Sequence, residues 1–153
     1  MRIKIQHLEP QYIPKLAAWH QAEWAHLNKS INETTRQERL EKHCSTTSLP
    51  STFIALDGDN LVGGICLVQH DIPDRPQYSP WISRVYVAHD QRGKAIGKAL
   101  IEHAKEALRQ QGHDALYLIT EDKGAYYARI GWVRVEEYKL NECLVEIMRI
   151  QLN

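Results

Sequence analysis

The chain has 153 residues, enough for one domain with a substantial core, and its 43% apolar and 25% charged content is that of a soluble globule rather than a disordered or membrane-embedded chain. Lys+Arg and Asp+Glu both total 19, so no net field draws the protein to nucleic acid or to an acidic membrane. Cys44, Cys66 and Cys143 are odd in number and far apart, and no Cys/His spacing suits zinc, which excludes a disulfide framework and leaves no metal site to propose.

In chain order, Arg2 to His7 alternates Ile3 and Ile5 with polar residues and reads as a strand. Tyr12 to Leu27 carries Ile13, Leu16, Ala17, His20, Trp24 and Leu27 on one face and reads as an amphipathic helix. Ser30-Ile-Asn-Glu33 has the spacing of a capping box and predicts a second, more polar helix to about Cys44. Thr52 to Leu56, the turn Asp57-Gly-Asp-Asn60, and Leu61 to Gln69 predict a hairpin, with Cys66 as a small buried hydrophobe. A proline-rich loop, Ile72 to Pro80, leads into the β-branched and aromatic strand Trp81–Val87.

After that strand, Ile96, Leu100, Ala104 and Ala107 form one buried helix face, ending near Gln111 with Gly112 as the stop. Leu116 to Ile119 is a continuous apolar run, as in a strand covered on both faces, and it completes a βαβ unit with parallel strands. Tyr126 to Ile130 makes a short helix closed by Gly131. Val133–Val135 and Leu144–Ile150 are the last two strands. The start, Met1 to His7, lacks a secretory apolar region, and no apolar run reaches transmembrane length, so a cytoplasmic protein without a membrane partner is expected. Unpaired thiols fit the same reducing compartment.

The segment Arg92-Gly93-Lys94-Ala95-Ile96-Gly97 carries the chemistry. A glycine-bearing turn between strand and helix points several N–H groups one way. The helix start adds unpaired N–H groups and a partial positive charge of roughly half a unit. Such a turn binds phosphate. It is not a Walker A loop, because Gly93 and Gly97 are four apart and Ala99 follows Lys98. It also lacks the G-x-G-x-x-G of dinucleotide folds.

The Arg92–Gly97 pattern, after a strand ending Val85-Tyr86-Val87, resembles the acyl-CoA loop of the GNAT family of N-acetyltransferases. Ala95 stands where that family usually has a glycine, and it is expected to hold an ordinary φ. Tyr126-Tyr127-Ala-Arg-Ile-Gly131-Trp132 resembles the family's second signature, and the order of elements matches along the whole chain. The resemblance implies a single GNAT domain over residues 1–153. Its fold class is α/β, a mixed, mostly antiparallel sheet of about seven strands with a central splayed parallel pair, flanked by about four helices.

It further implies an N-acetyltransferase that moves an acetyl group from acetyl-CoA, a cosubstrate, to a primary amine of a small molecule or peptide, with no metal. The implied cofactor contacts are Tyr86 and Val87 for the pantetheine arm, the N–H groups from Arg92 through Gly93, Lys94, Ala95, Ile96 and Gly97 to Lys98 for the pyrophosphate, and the charges of Arg92 and Lys98. The N–H near Val87 is the expected oxyanion donor. Tyr127 is the implied acid for the leaving thiolate, and Gly131 is expected at φ > 0 with Trp132 in the core.

The strand position where some members carry a glutamate is Ile119 here, and Thr120 stands near the place of a family asparagine. Glu121 is therefore the first candidate base, at the C-terminal end of its strand. Asp122, His20, His70 and Ser83 are the other polar candidates, and a relay through water needs no dedicated base. His20 reads more simply as a satisfied core histidine. Trp19, Trp24, Trp81 and Tyr138 are candidates for the acceptor wall. The alternatives are a catalytically inert acyl-CoA-binding or sensor domain, and a nucleotide-binding α/β protein; the assembly expected is a monomer or homodimer.

Overall fold

In a computed structural model, residues 2–153 are described. Seven strands form one sheet: β1 (Ile3–His7), β2 (Ser51–Asp57), β3 (Asn60–Val68), β4 (Trp81–Val87), β5 (Ala115–Thr120), β6 (Val133–Leu140) and β7 (Cys143–Gln151). Four α-helices accompany them: α1 (Ile13–Trp24), α2 (Glu33–Glu41), α3 (Ile96–Gln110) and α4 (Gly124–Arg129). The strand order is β1-β2-β3-β4-β5-β7-β6. Every pairing is antiparallel except β4 with β5. This is the α/β sheet with one central parallel pair that the element order implies.

One core cluster joins Ile65, Leu67 and Ile82 of the sheet to Ile96, Leu100, Ala104 and Leu108 of α3, with Tyr127 and Trp132 beyond them. A second joins Ile54, Leu56 and Cys66 to Ile13, Leu16 and Ala17 of α1 and Leu40 of α2. The apolar periodicities of both long helices thus point at the sheet.

Several boundaries differ from the sequence reading. The first helix stops at Trp24, and Ala25–Leu27 continues as a 3-10 turn. The capping box at Ser30 does not form. Asn32 is the cap, its Oδ1 accepting from Thr35 N at 2.9 Å, while Ser30 Oγ donates to Asn28 Oδ1. Asparagine caps as well as serine does, and here it lies one residue before the helix. The helix ends at Glu41, three residues short of Cys44. Ala95 departs from its expected φ and lies in the left-handed region at 62°, close to Gly93 at 83°. The turn needs two left-handed residues, and alanine accepts one at a cost of about 1 kcal/mol.

Gly131 does have positive φ, at 103°. Its N–H donates to Ala128 O at 3.3 Å, and Trp132 N–H donates to Tyr127 O at 3.0 Å. This is a Schellman stop, and it places the Trp132 indole in the core.

The centre of the sheet is its least regular part. The β3–β4 register runs Leu67↔Ile82 and then Cys66↔Arg84, so Ser83 is an extra, bulged residue. Beyond the bulge, Arg84 and Tyr86 turn toward α1, against Trp24 and Trp19, while Ile82 and Val85 pack toward α3. Only one residue pair, Trp81↔Tyr117, joins β4 to β5.

The open end of β4 leans on Gly63 of β3. A Cβ there would stand 2.9 Å from Tyr86 O and 3.3 Å from Leu100 Cδ1. Gly63→Ala is expected to cost about 1–3 kcal/mol in urea denaturation. At neighbouring Gly64 a Cβ would meet only methyl ends of Leu16 and a carbonyl at 3.5 Å. Gly64→Ala is therefore expected to cost clearly less, and equal losses would contradict the close-approach argument.

Candidate active site

The parting of β4 from β5 opens a cavity of about 740 Å³. Its floor is Ile82–Val87 on one side and Leu118–Thr120 on the other. One wall is the turn into α3 with Arg92, Gly93, Gly97 and Lys98, another is α4 with Tyr126 and Tyr127, and the rest comes from α1, α2 and the β6–β7 turn.

The turn into α3 presents backbone, not side chains. Among the described residues, none of the N–H groups of Gly93 to Lys98 has a backbone acceptor; the first helical bond is Ala99 N–H to Ala95 O at 3.0 Å. A Cβ at Gly93 would meet nothing within 4 Å, and one at Gly97 only Val87 Cγ2 at 3.6 Å. The turn is thus a row of free donors with open space before it, which suits a pyrophosphate. Of the predicted contact residues, Tyr86, Val87, Arg92, Gly93, Gly97 and Lys98 line the cavity. Lys94 and Ala95 are exposed beside it, and the Ile96 side chain is in the core. Arg92 is turned back: its Nε donates to Val87 O at 2.9 Å, its guanidinium lies over the Tyr86 ring at 5.2 Å, and Nη2 stands 3.9 Å from Glu23.

Across the cavity, Tyr127 is 8% exposed and borders the open space. Its ring packs edge-on against Trp132 and Tyr126. Burial, with the neighbouring Tyr126 adding to it, pushes the phenol up to about 12, so the hydroxyl holds its proton at neutral pH. Glu121 stands at the rim, where its Oε1 is 2.8 Å from His26 Nε2.

The other candidates separate clearly. Asp122 and Ser83 line the cavity; His20 and His70 do not. His20 is buried under the α1 face, where burial and then the Arg84 and Arg36 charges lower it to about 3. Its Nε2 has no partner among the described residues, so it is a neutral core histidine but not a satisfied one. Among the four aromatic candidates for the acceptor wall, only Trp24 borders the cavity. Trp19 packs on Tyr86, Trp81 is fully buried with Nε1 donating to Tyr78 O, and Tyr138 donates to Asp74 Oδ1.

Sequence reasoning passes over Asp71, Arg36, Arg39 and Arg84, all of which line the cavity. Arg36 is 4% exposed and shares the buried face of α2 with Leu40, four residues on. That spacing is the available signal: an arginine in an apolar stripe. Asp71, in the loop after β3, is pushed up to about 6 by burial, with Arg84 working against the shift.

A parted central strand pair beside a helix start with unpaired N–H groups is the arrangement of an acyl-CoA-dependent acyltransferase. The profile of the acetyltransferase (GNAT) family matches residues 13–132, and the chain belongs to that family. No curated protein matches the sequence significantly. Solved structures agree in fold. The PaiA N-acetyltransferase of Thermoplasma acidophilum, determined with coenzyme A, superposes with a TM-score of 0.75 at 17% identity over 99% of both chains. An aminoglycoside 6'-acetyltransferase type Ii gives 0.76 at 17% identity, covering 98% of this chain and 97% of its own. The NatC complex with Gag peptide and CoA gives 0.70 at 20% identity over 100% of both chains. Among the described residues, no helix is long and apolar enough to cross a membrane.

The Asp71 shift carries a stability consequence. Unfolded, the carboxyl ionises near pH 4; folded, it ionises near 6. The folded state therefore holds the extra proton between these values, and stability falls as pH rises through that window. Asp71→Asn is expected to stabilise the protein by about 1–3 kcal/mol at pH 7.5, with the gain gone below about pH 4. Urea denaturation at the two pH values measures it; a variant no more stable than wild type at pH 7.5 would contradict a destabilising charge at half-buried Asp71.

Proposed function

We propose that the protein transfers an acetyl group from acetyl-CoA to a primary amine of a small molecule or peptide, by direct attack within a ternary complex. One observation carries this reading. Gly93, Gly97 and Lys98, whose N–H groups have no backbone acceptor, and Tyr127 line one cavity, in the gap between β4 and β5.

The cradle would hold the pyrophosphate of acetyl-CoA, with Lys98 adding charge. Tyr86 and Val87 would pair with the pantetheine arm as the family resemblance implies, which requires Arg92 to release Val87 O and turn toward the phosphates. Bound acetyl-CoA supplies an activated thioester, and fixing it beside an amine removes much of the entropic barrier to a bimolecular step. The amine nitrogen forms a C–N bond as the C–S bond breaks, and the N–H near Val87 would receive the developing oxyanion. Tyr127 then gives its proton to the departing thiolate; its raised pKa keeps that proton available across the physiological range. The proton lost by the amine goes to a cavity carboxylate. Glu121 is one such group at the rim; Asp71 is another, and a pKa raised to about 6 suits it to accept a proton near neutrality. The expected setting is cytoplasmic, as a monomer or homodimer.

Gly97→Asp tests the cradle. The backbone at Gly97 has room for a Cβ, so the variant is expected to fold, yet it carries a carboxylate toward the phosphates. Acetyl-CoA affinity by calorimetry should fall at least tenfold, about 1.4 kcal/mol or more. Unchanged affinity in a folded variant would refute the placement.

Tyr127→Phe tests the acid. The ring and its packing on Trp132 remain, so acetyl-CoA should bind as before. If the hydroxyl acts only as the thiolate leaves, kcat and kcat/KM should fall together by about tenfold to a few hundredfold. Wild-type turnover with chemistry rate-limiting would leave Tyr127 as a packing residue. A wild type that binds acetyl-CoA and acetylates no amine would favour the inert acyl-CoA-binding reading.

A further inference from the structure

Two guanidinium groups share one wall of the cavity with no carboxylate paired to either. Arg36 Nε donates to Gln21 Oε1 at 2.8 Å, which fixes the head group while its Nη atoms have no hydrogen-bond partner among the described residues. Arg84 is held by Nη1 donating to Ser83 O at 2.8 Å and by the Trp24 ring, 5.6 Å from the guanidinium carbon. Among the described residues, neither arginine has a carboxylate oxygen within 4.0 Å, although other arginines in the protein do. Burial, and then the Arg84 and Arg39 charges, lower Arg36 to about 10, so these cations repel one another. Unpaired buried charges are destabilising, and a carboxylate bound between these groups would supply the counter-charge.

Beside these arginines, Asp71 lines the cavity, feels the Arg84 charge and makes no hydrogen bond among the described residues. Exposed Arg39 adds a third cation at the same wall. Unpaired cations beside a free carboxyl group complement a molecule that carries both a carboxylate and an amine. The pyrophosphate cradle at Gly93–Lys98 is built from a different element and needs neither arginine.

We propose that the acceptor is a small aminocarboxylate, of the amino acid class, whose carboxylate is bound by Arg36 and Arg84 and whose amine faces Asp71. This rests on the acetyltransferase reading and names the substrate of that same cavity. Carboxylate binding by the two arginines is made alike in ground and transition states, so it acts on KM rather than on kcat. Arg36 and Arg84 are specificity-determining residues, and Gln21 is a positioning residue for Arg36.

The test uses the full-length protein, acetyl-CoA and a thiol-release assay with matched acceptors: the free amino acids, their C-terminal amides and the corresponding amines lacking the carboxylate. The free acids should exceed their amides in kcat/KM by roughly 10- to 100-fold for the best acceptor. Arg36→Gln should raise KM for that acid by a similar factor, leave kcat within a few-fold, leave the acetyl-CoA dissociation constant unchanged and leave turnover of the amides unaltered. Arg84→Gln should raise KM likewise for the acid and not for the amides, while moving the pH profile of kcat upward for both, because Arg84 holds Asp71 down. If Arg36→Gln fails to fold, Arg84→Gln carries the test. Equal or better use of amides or simple amines would overturn the proposal and leave the acetyltransferase reading standing. Succinyl-CoA replacing acetyl-CoA with a dependence on the two arginines would also overturn it, by placing the carboxylate on the donor. Absence of turnover with all three acceptor sets, despite acetyl-CoA binding, would overturn the proposal; turnover of a peptide N-terminus in the same assay would then leave the acetyltransferase reading standing.

Discussion

The site depends on one failure of pairing. A parallel strand pair in the middle of a sheet would ordinarily form an even ladder along its whole length. Here β4 and β5 meet at Trp81 and Tyr117 and then separate. The Ser83 bulge has the right effect for this: it adds a residue to β4, increases local twist and redirects every side chain beyond it. The separation exposes strand backbone to the cavity. Unpaired buried N–H and C=O groups cost free energy, so such a gap calls for a partner that can hydrogen-bond along a strand. Arg92 Nε meets part of that need by binding Val87 O. The extended amide arm of an acyl-CoA can meet it too, which links the local irregularity of the sheet to the choice of cosubstrate.

The bulge also determines the electrostatics. Without it, Arg84 would alternate onto the opposite face, under α3, among Leu100, Ala104 and Leu108. With it, Arg84 emerges beside Trp24 and near Arg36, Asp71 and His20. The consequences show in the titration of the whole group. His20 and His43 are held neutral mainly by burial, with Arg84 adding to the effect. Asp71 would rise further were Arg84 absent. A chain with no net charge thus concentrates positive charge at one internal wall, a feature that bulk composition conceals.

Much of the fold is legible in the sequence because its signals are local. The α3 stripe, the Tyr86–Val87 strand end, the Gly131 stop and the seven-strand order all follow from residues adjacent in sequence. What escapes depends on contacts between distant segments. The cap of α2 falls on Asn32 because two capping residues lie two positions apart and only the chain's approach to the helix selects between them. Ala95 differs from expectation because a sequence shows a small residue but not the left-handed turn it must adopt. Three of the four aromatic candidates for the acceptor wall lie elsewhere, since an aromatic residue gives no sign of which side of a sheet it will cover. Asp71 carries no local signal: its shift reflects its surroundings in the cavity and the opposing charge of Arg84, thirteen residues further along the chain.

Tyr127 shows how the two kinds of information combine. Its position in the chain is readable from the spacing to Gly131, and the spacing works because Tyr127 O is the acceptor that ends α4, receiving the N–H groups of Ile130 and Trp132. The backbone of the tyrosine is therefore fixed by the helix stop, and its ring by Trp132. Neither constraint acts on the hydroxyl, which makes no hydrogen bond among the described residues and borders the cavity. In the reaction we propose, that freedom lets the hydroxyl give its proton to a group entering between β4 and β5, along a direction set by the helix stop and the Trp132 ring.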